Sequence, residues 1–291
     1  MAKDTDYADL LEKLTLQHQA RLADALDRLE ERITELMATA PLRDGKLYDL
    51  EWAIAARVQL KAAIDTGYLV EVQEIIKSYK SVTASTYAML KSYNALPTLD
   101  PVIIRQLQTL SFKGFEAIAN EYLDILSTEV YQSTLTNRAF AQSLKTIKQT
   151  INGVYIQSDN VEAQKLVEIA KNGTAAASAA AVEKLQTIYA RDRVGNNLKR
   201  YSNAYAQDSL MQFDASVNVA TGRQNGATKW KYFGGNSANS RSFCLQHEGK
   251  IYTDEQIAQI WAGSWKGKSS SDAMIARGGY NCEHHWRPIY D

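Results

Sequence analysis

The apolar positions near the start of the chain fall on one helical seam. Leu22, Leu26, Leu29, Ile33 and Leu36 follow a 4-3-4-3 spacing, and Leu11 lies on the same line. Mixed charges fill the gaps, as in Asp27-Arg28-Leu29-Glu30-Glu31-Arg32. The pattern predicts one amphipathic helix over residues 5–38. Such a seam suits a coiled coil or a single helix of a bundle. Thr15 and His18 interrupt it toward its start, which favours the bundle. Ala40-Pro41 stops the helix, because the residue before a proline avoids the helical region.

After a short LRDGK loop, residues 47–96 read as helix with a break near Asp65-Thr66-Gly67. Ala62, Ile64, Leu69, Val70, Val72, Ile75 and Ile76 supply its apolar positions. Pro97 and Pro101 bracket a turn. Asp100 is a suitable N-cap, with Pro101 in the first position of a helix reaching Leu126 or beyond. A further helix over 134–152 ends at Asn152-Gly153, a helix-stop pair. Ser158-Asp159 opens a short helix that closes at Asn172-Gly173. The run TAAASAAA at 174–181 favours helix strongly and presents a smooth surface. Helix continues to about Gly195, and Leu210, Met211, Phe213, Val217 and Val219 carry another to Gly222. No repeat of fixed period occurs. The chain has only four prolines, so its helices can run long.

The pattern changes near residue 222. Thr228 to Phe233 alternates like a strand. Gly234 to Ser240 reads as a loop, Arg241 to Cys244 as a returning strand, and Lys250-Ile251-Tyr252 as a third extended piece. Thr253 opens a helix, and Gln256 three residues on completes a capping box. Gly263 to Ser271 is a glycine- and serine-rich loop. The expected architecture is therefore mainly α: a long helical N-terminal body over 1–222 and a small α+β module over 223–291.

Composition narrows the function classes. The chain has 291 residues, 45% hydrophobic and 23% charged, as in ordinary globular proteins. Its 33 basic and 33 acidic residues cancel, which argues against nonspecific coating of DNA. No run approaches the length of a membrane-spanning helix. The polar start, MAKDTDYADL, lacks the apolar core of a secretion signal, so a cytoplasmic origin is expected. Two cysteines make no disulfide framework.

Both cysteines and three of the four histidines lie in the last fifty residues. Cys244 and His247 are separated by two residues; Cys282 and His284 by one, with His285 adjacent. Two such pairs can present two thiolates and two imidazoles to a tetrahedral ion such as zinc: Cys244, His247, Cys282 and either His284 or His285. An ion there would staple a module too small to have much core of its own. A metal-free arrangement, with cysteine as a small hydrophobe and histidine as a core hydrogen-bonder, accounts for the same residues. Catalytic readings are a thiolate paired with a histidine, or a nuclease built on Asn281, His284 and His285. Neither has an ordered set of partners or a clear acidic cluster; Glu248, Asp254 and Glu255 are the candidate acids. Trp230, Phe233, Tyr252, Trp261 and Trp286 are expected to fill the module core. Lys266, Lys268, Arg277 and Arg287 read as a solvated face, or as one that meets an acidic partner or a DNA backbone.

Three stretches carry a likeness to a known family: Trp230-Lys-Tyr-Phe-Gly-Gly; Ser240-Arg-Ser-Phe-Cys-Leu-Gln-His-Glu-Gly-Lys-Ile-Tyr; and Gly278-Gly-Tyr-Asn-Cys-x-His-His-Trp-Arg-Pro. In this order they resemble the C-terminal signature of phage minor head proteins, the head-morphogenesis family typified by the F protein of phage Mu. That pattern has a tryptophan strand, then Cys-x-x-Cys or Cys-x-x-His with a following glycine, then Asn-Cys-Arg-Cys or Asn-Cys-Arg-His. Cys244 and His247 match the first pair; Asn281, Cys282 and His284 match the last. Glu283 departs from the pattern, which usually has arginine there. The likeness covers about sixty residues, Trp230 to Pro288, plus the plan of a helical N-terminal part. It implies a nonenzymatic minor capsid protein of the virion, at the portal vertex of the head and neck. Its implied partners are the portal protein, other head or neck proteins and packaged DNA, and its implied task is head assembly or DNA delivery. Some relatives carry effector domains beyond the signature; here the signature ends near Asp291, so none is expected. The alternative is a metal- or thiol-dependent hydrolase or nuclease acting during packaging or entry.

Overall fold

Helix α1 runs from Ala2 to Ala38 without interruption. The structure is a computed structural model that describes residues 2–91, 99–155, 165, 166, 169, 174, 177, 180, 181, 193, 194, 197–235, 240–269 and 271–290. The seam residues Leu11, Leu22, Leu26, Leu29, Ile33 and Leu36 are all buried. Thr15 and His18 are buried with them, and each makes a hydrogen bond there, although His18 Nδ1 has no partner. The Thr15 hydroxyl donates to Leu11 O at 2.9 Å, and His18 Nε2 lies 2.8 Å from Ser78 Oγ. Polar groups that bond locally can occupy a helix seam, which removes the need for a coiled coil.

The chain divides into two compact units. One comprises Met1–Ala25, Asp65–Ala119 and Ser202–Asp291; the other comprises Leu26–Ile64 and Asn120–Tyr201. The second unit includes a hairpin, β1 (Leu42–Arg43) and β2 (Lys46–Leu47), turned by Asp44 and Gly45. Both turn residues have positive φ, 52° and 73°, which a two-residue hairpin loop of this kind requires. Asp49 caps α2 (Leu50–Ala63) by accepting from Trp52 N at 2.9 Å. The expected break near Asp65 is a π-helical turn, Ile64–Tyr68, leading into α3 (Leu69–Lys91). Residues 92–98, including Pro97, lie outside the described residues.

Asp100 accepts from Val102 N at 2.7 Å and starts α4 (Pro101–Leu135). Helix α5 begins at Phe140, later than the expected residue 134. Asn137 adopts the left-handed conformation, and Arg138 to Phe140 hydrogen-bond to the hairpin through Leu47 N and Gly45 O. This pairing competes with helix for the same backbone groups. α5 ends at Asn152, with Gly153 beyond it at φ 83°. A two-residue ladder, β3 (Val154–Tyr155) with β4 (Arg193–Val194), follows. The helices expected over 158–195 fall mainly outside the described residues; residues 165, 166, 169, 177, 180 and 181 are helical.

Helix α6 spans Leu198–Gln224, and its residues from Ser202 onward belong to the first unit. Tyr79 Oη meets Ser209 Oγ at 2.9 Å, and the Tyr79 and Phe213 rings are 5.0 Å apart. Gly114 on α4 faces Tyr205, whose ring fills the space a side chain would take.

The C-terminal module is a three-stranded antiparallel sheet ordered β6-β5-β7, with short helices around it. Its strands are β5 (Lys229–Phe233), β6 (Ile251–Thr253) and β7 (His285–Ile289). The expected second strand at Arg241–Cys244 is instead a helix, α7 (Ser242–His247). β7, formed by the closing motif, takes the vacant side of β5, pairing Tyr232 with Trp286 and Phe233 with His285. The capping box at Thr253 and Gln256 opens α8 (Asp254–Trp261) as expected. A last short helix, α9 (Ala273–Ala276), follows the serine-rich loop.

Near residue 222 the chain passes from the long helix α6 to short strands and helices. Gly222 lies against the Trp230 ring, where any side chain would collide. Asn218 donates to Trp286 O, and Asp208 accepts from Asn281 N at 3.2 Å. Thus α6 binds both ends of the closing motif. The module core contains Trp230 and Trp286, with Tyr252 and Trp261 packed at its edge. Phe233 does not join it. Strand side chains alternate, so Trp230 and Tyr232 share the inner face and Phe233 turns out under the Arg287 guanidinium, 4.5 Å from its ring. The architecture is mainly α with a small α+β C-terminal region, as expected.

Candidate metal centre

Three elements bring the thiols together. The turn of α7 presents Cys244, β5 presents Tyr232, and the loop from Gly278 to His284 presents Cys282 and His284. The two sulfurs lie 3.7 Å apart as free thiols, and Cys282 Sγ lies 3.7 Å from His284 Nδ1. All three ligand atoms fall within 4.8 Å of one another. All three residues are buried.

The loop is built for close approach. Gly279 has φ 117°, and a Cβ there would fall 2.0 Å from Gly267 O. Gly278 sits directly against the donors: a Cβ would fall 2.6 Å from Cys244 Sγ and 2.8 Å from both Cys282 Sγ and Tyr232 Oη. Asn281, at φ 52°, uses the left-handed tolerance of its residue type.

His284 has two distinct nitrogens in two environments. Nδ1 faces Cys282, while Nε2 faces Glu248 Oε2 at 3.2 Å. Glu248 Oε1 also accepts from Gly235 N at 3.3 Å. Nε2 and Oε2 are close without being aligned as a hydrogen bond; in metal sites a carboxylate in this place orients the ligating imidazole. The Tyr232 ring stacks on His284, with centroids 5.0 Å apart and planes 12° from parallel.

Arg277 is fully buried, contrary to its reading as part of a solvated or DNA-facing surface. Its backbone takes φ 63°, uncommon for a long side chain. The side chain folds back onto the loop, donating from Nε to Cys282 O at 3.0 Å and from Nη1 to Ile275 O at 2.8 Å. Its Nη2 lies 3.8 Å from Asp208 Oδ1. Lys268 is likewise engaged, donating to Trp261 O and Gly263 O beneath the Trp265 ring.

The two thiols share their protons unequally. The hydrogen bond from Cys244 holds Cys282 well below a free thiol, aided by His284 and the Arg277 charge. The same bond, with burial, pushes Cys244 up.

The other expected ligands lie apart from this group. His247 Nδ1 meets Tyr252 Oη at 2.7 Å, and its ring packs 4.4 Å from Phe243. Burial, with the charge of Lys250, pushes its pKa down. His285 points to α6, where Nδ1 lies 3.0 Å from Asp214 Oδ2. Asp254 pairs with Arg223 and Glu255 accepts from Thr253, so of the three candidate acids Glu248 alone reaches the cluster.

The spacing fits a tetrahedral ion. Sulfur ligands at about 2.3 Å from zinc stand about 3.8 Å from each other, and a sulfur and an imidazole nitrogen stand about 3.6 Å apart. Cys244, Cys282 and His284 can thus hold a metal. No protein-family model, curated protein or solved structure matches the chain.

Proposed function

We propose that this protein is a structural minor head protein of a tailed phage, docked at the portal vertex, and that its C-terminal module is stapled by zinc. One observation carries the reading. The three motifs that resemble the head-morphogenesis signature, up to 38 residues apart at their cysteines, converge on one sheet and place two of the matched pair residues and the closing histidine at one point. The motif order therefore has a physical reason: each stretch supplies a donor or a wall of the same small site.

Zinc suits two thiolates and an imidazole. Burial of Cys244, Cys282 and His284 favours a structural use over catalysis, which needs an open position for substrate. Long helices supply docking surfaces for the portal and other head or neck proteins. Zero formal charge suits contact with packaged DNA without condensation onto it. None of the described helices is long and apolar enough to cross a membrane.

The test is particle biochemistry. The protein is expected in purified virions, and its deletion is expected to abolish infectious particles. Normal infectivity without the protein, and its absence from purified particles, refutes the assignment. Replacing Cys244 and Cys282 by serine separates the hydrolase alternative: retained folding with loss of a hydrolytic activity would favour the enzyme.

A further inference from the structure

We propose that Tyr232 is the fourth ligand of the metal centre, its phenolic oxygen completing a set of four donors with Cys244, Cys282 and His284. The inference rests on the metal reading above and adds the donor that the cysteine and histidine pairs do not supply.

Tyr232 Oη lies 3.4 Å from Cys244 Sγ and 3.6 Å from Cys282 Sγ. A tetrahedral ion with sulfur at about 2.3 Å and oxygen at about 2.0–2.2 Å sets that edge at about 3.5–3.7 Å. The hydroxyl therefore occupies the expected corner with respect to both sulfurs. The point where a Gly278 Cβ would stand has the same three nearest atoms, Cys244 Sγ, Cys282 Sγ and Tyr232 Oη, at nearly equal distances. These three donors surround one space, and the chain keeps a glycine beside it.

The alternative fourth donors are committed elsewhere. His247 binds Tyr252, His285 binds Asp214, and Glu248 contacts His284 from the side away from the sulfurs. Tyr232 itself is fully buried, with its hydroxyl directed at the thiols.

A bound divalent ion favours the deprotonated phenol, as it does coordinating thiols. On binding, the O–H bond breaks, the proton passes to solvent with those of the thiols, and an oxygen–metal bond forms. Two thiolates and a phenolate around a divalent ion leave one net negative charge, and the buried Arg277 guanidinium lies behind the Cys282 carbonyl on the same loop.

The experiment is zinc titration of the chelator-treated full chain, followed by near-ultraviolet difference absorption. Stoichiometric zinc is expected to raise the red-shifted band of one tyrosinate. The Tyr232→Phe variant, which keeps the ring stacked on His284, is expected to lose that band. It should bind zinc at least about tenfold more weakly. Zinc bound to the wild-type chain without a tyrosinate band overturns this assignment and leaves the zinc reading standing. A folded wild-type chain that takes up no zinc overturns both. The wild-type spectrum alone decides the matter if the variant fails to fold.

Discussion

His285 Nδ1 stands 3.0 Å from Oδ2 of Asp214, a carboxylate in the middle of α6 that is 1% exposed. The same carboxylate accepts from Tyr7 on α1 and from Thr86 on α3. Burial alone would raise its pKa, but the bond and charge of His285, the Tyr7 hydroxyl and Arg277 outweigh burial and hold it below the usual carboxylate value. Adjacent histidines of the closing motif thus divide their work: His284 faces the thiols, and His285 ties the strand to the helical body.

Removing one partner of a buried polar set leaves the others unpaired. Asp214→Ala is expected to destabilise the protein by about 3–5 kcal/mol. Asp214→Asn, which can still bond to Tyr7 and Thr86, should lose less. Urea unfolding midpoints check the order; equal stability of wild type and Asp214→Ala would show that the set contributes nothing.

Gly278 leaves no room for a methyl group beside the donors. Gly278→Ala is expected to cost about 1–3 kcal/mol through overpacking. It should also block metal binding, since the added carbon enters the space the donors surround. Calorimetric zinc titration of the folded variant reads this directly. Wild-type affinity in Gly278→Ala would place the ion elsewhere.

His18 makes the fold sensitive to acid. Burial, helped by the Arg21 charge, lowers its pKa from 6.5 to about 4. The folded chain keeps it neutral while the unfolded chain protonates, so the unfolded state binds more protons between those values. Stability is complete above pH 6.5 and declines as pH falls toward 4, by up to about 3 kcal/mol. His18→Gln, which retains a partner for Ser78, should flatten that part of the profile. Denaturant midpoints measured across the range test it.

Local patterns were legible in the sequence where a single helix or cap decides them. The α1 seam, the Asp100 cap, the Thr253 capping box and the inward Trp230 all follow from spacing alone. Long-range pairing was not legible. Arg241–Cys244 has the composition of a strand, yet β5 is already flanked by β6 and β7, so the segment coils into α7. The site was half legible. Cys244, Cys282 and His284 could be named from their types, but the departure of His247 depends on Tyr252 five residues on. Tyr232 carried a signal, since strand alternation places it on the same face as Trp230. Arg277 and Asp208 carried none, because a buried guanidinium far in sequence from its carboxylate looks like any surface cation.

Glu248 should act on the centre through His284 without touching the ion. Glu248→Ala is expected to weaken metal binding about 10–100-fold with little change in the unfolding midpoint of the metal-free chain. Nitrogen chemical shifts of His284 provide a second readout. They should differ between the metal-bound wild type and the variant. Unchanged affinity and unchanged shifts would remove Glu248 from this role.

A metal that holds the cysteine and histidine module is weighed by native mass spectrometry of the full chain, purified without an affinity tag. One zinc per chain is expected, lost in Cys244→Ser and Cys282→Ser together with thermal stability. A well-folded wild-type chain at its metal-free mass, with stability unaltered by chelator, would contradict it.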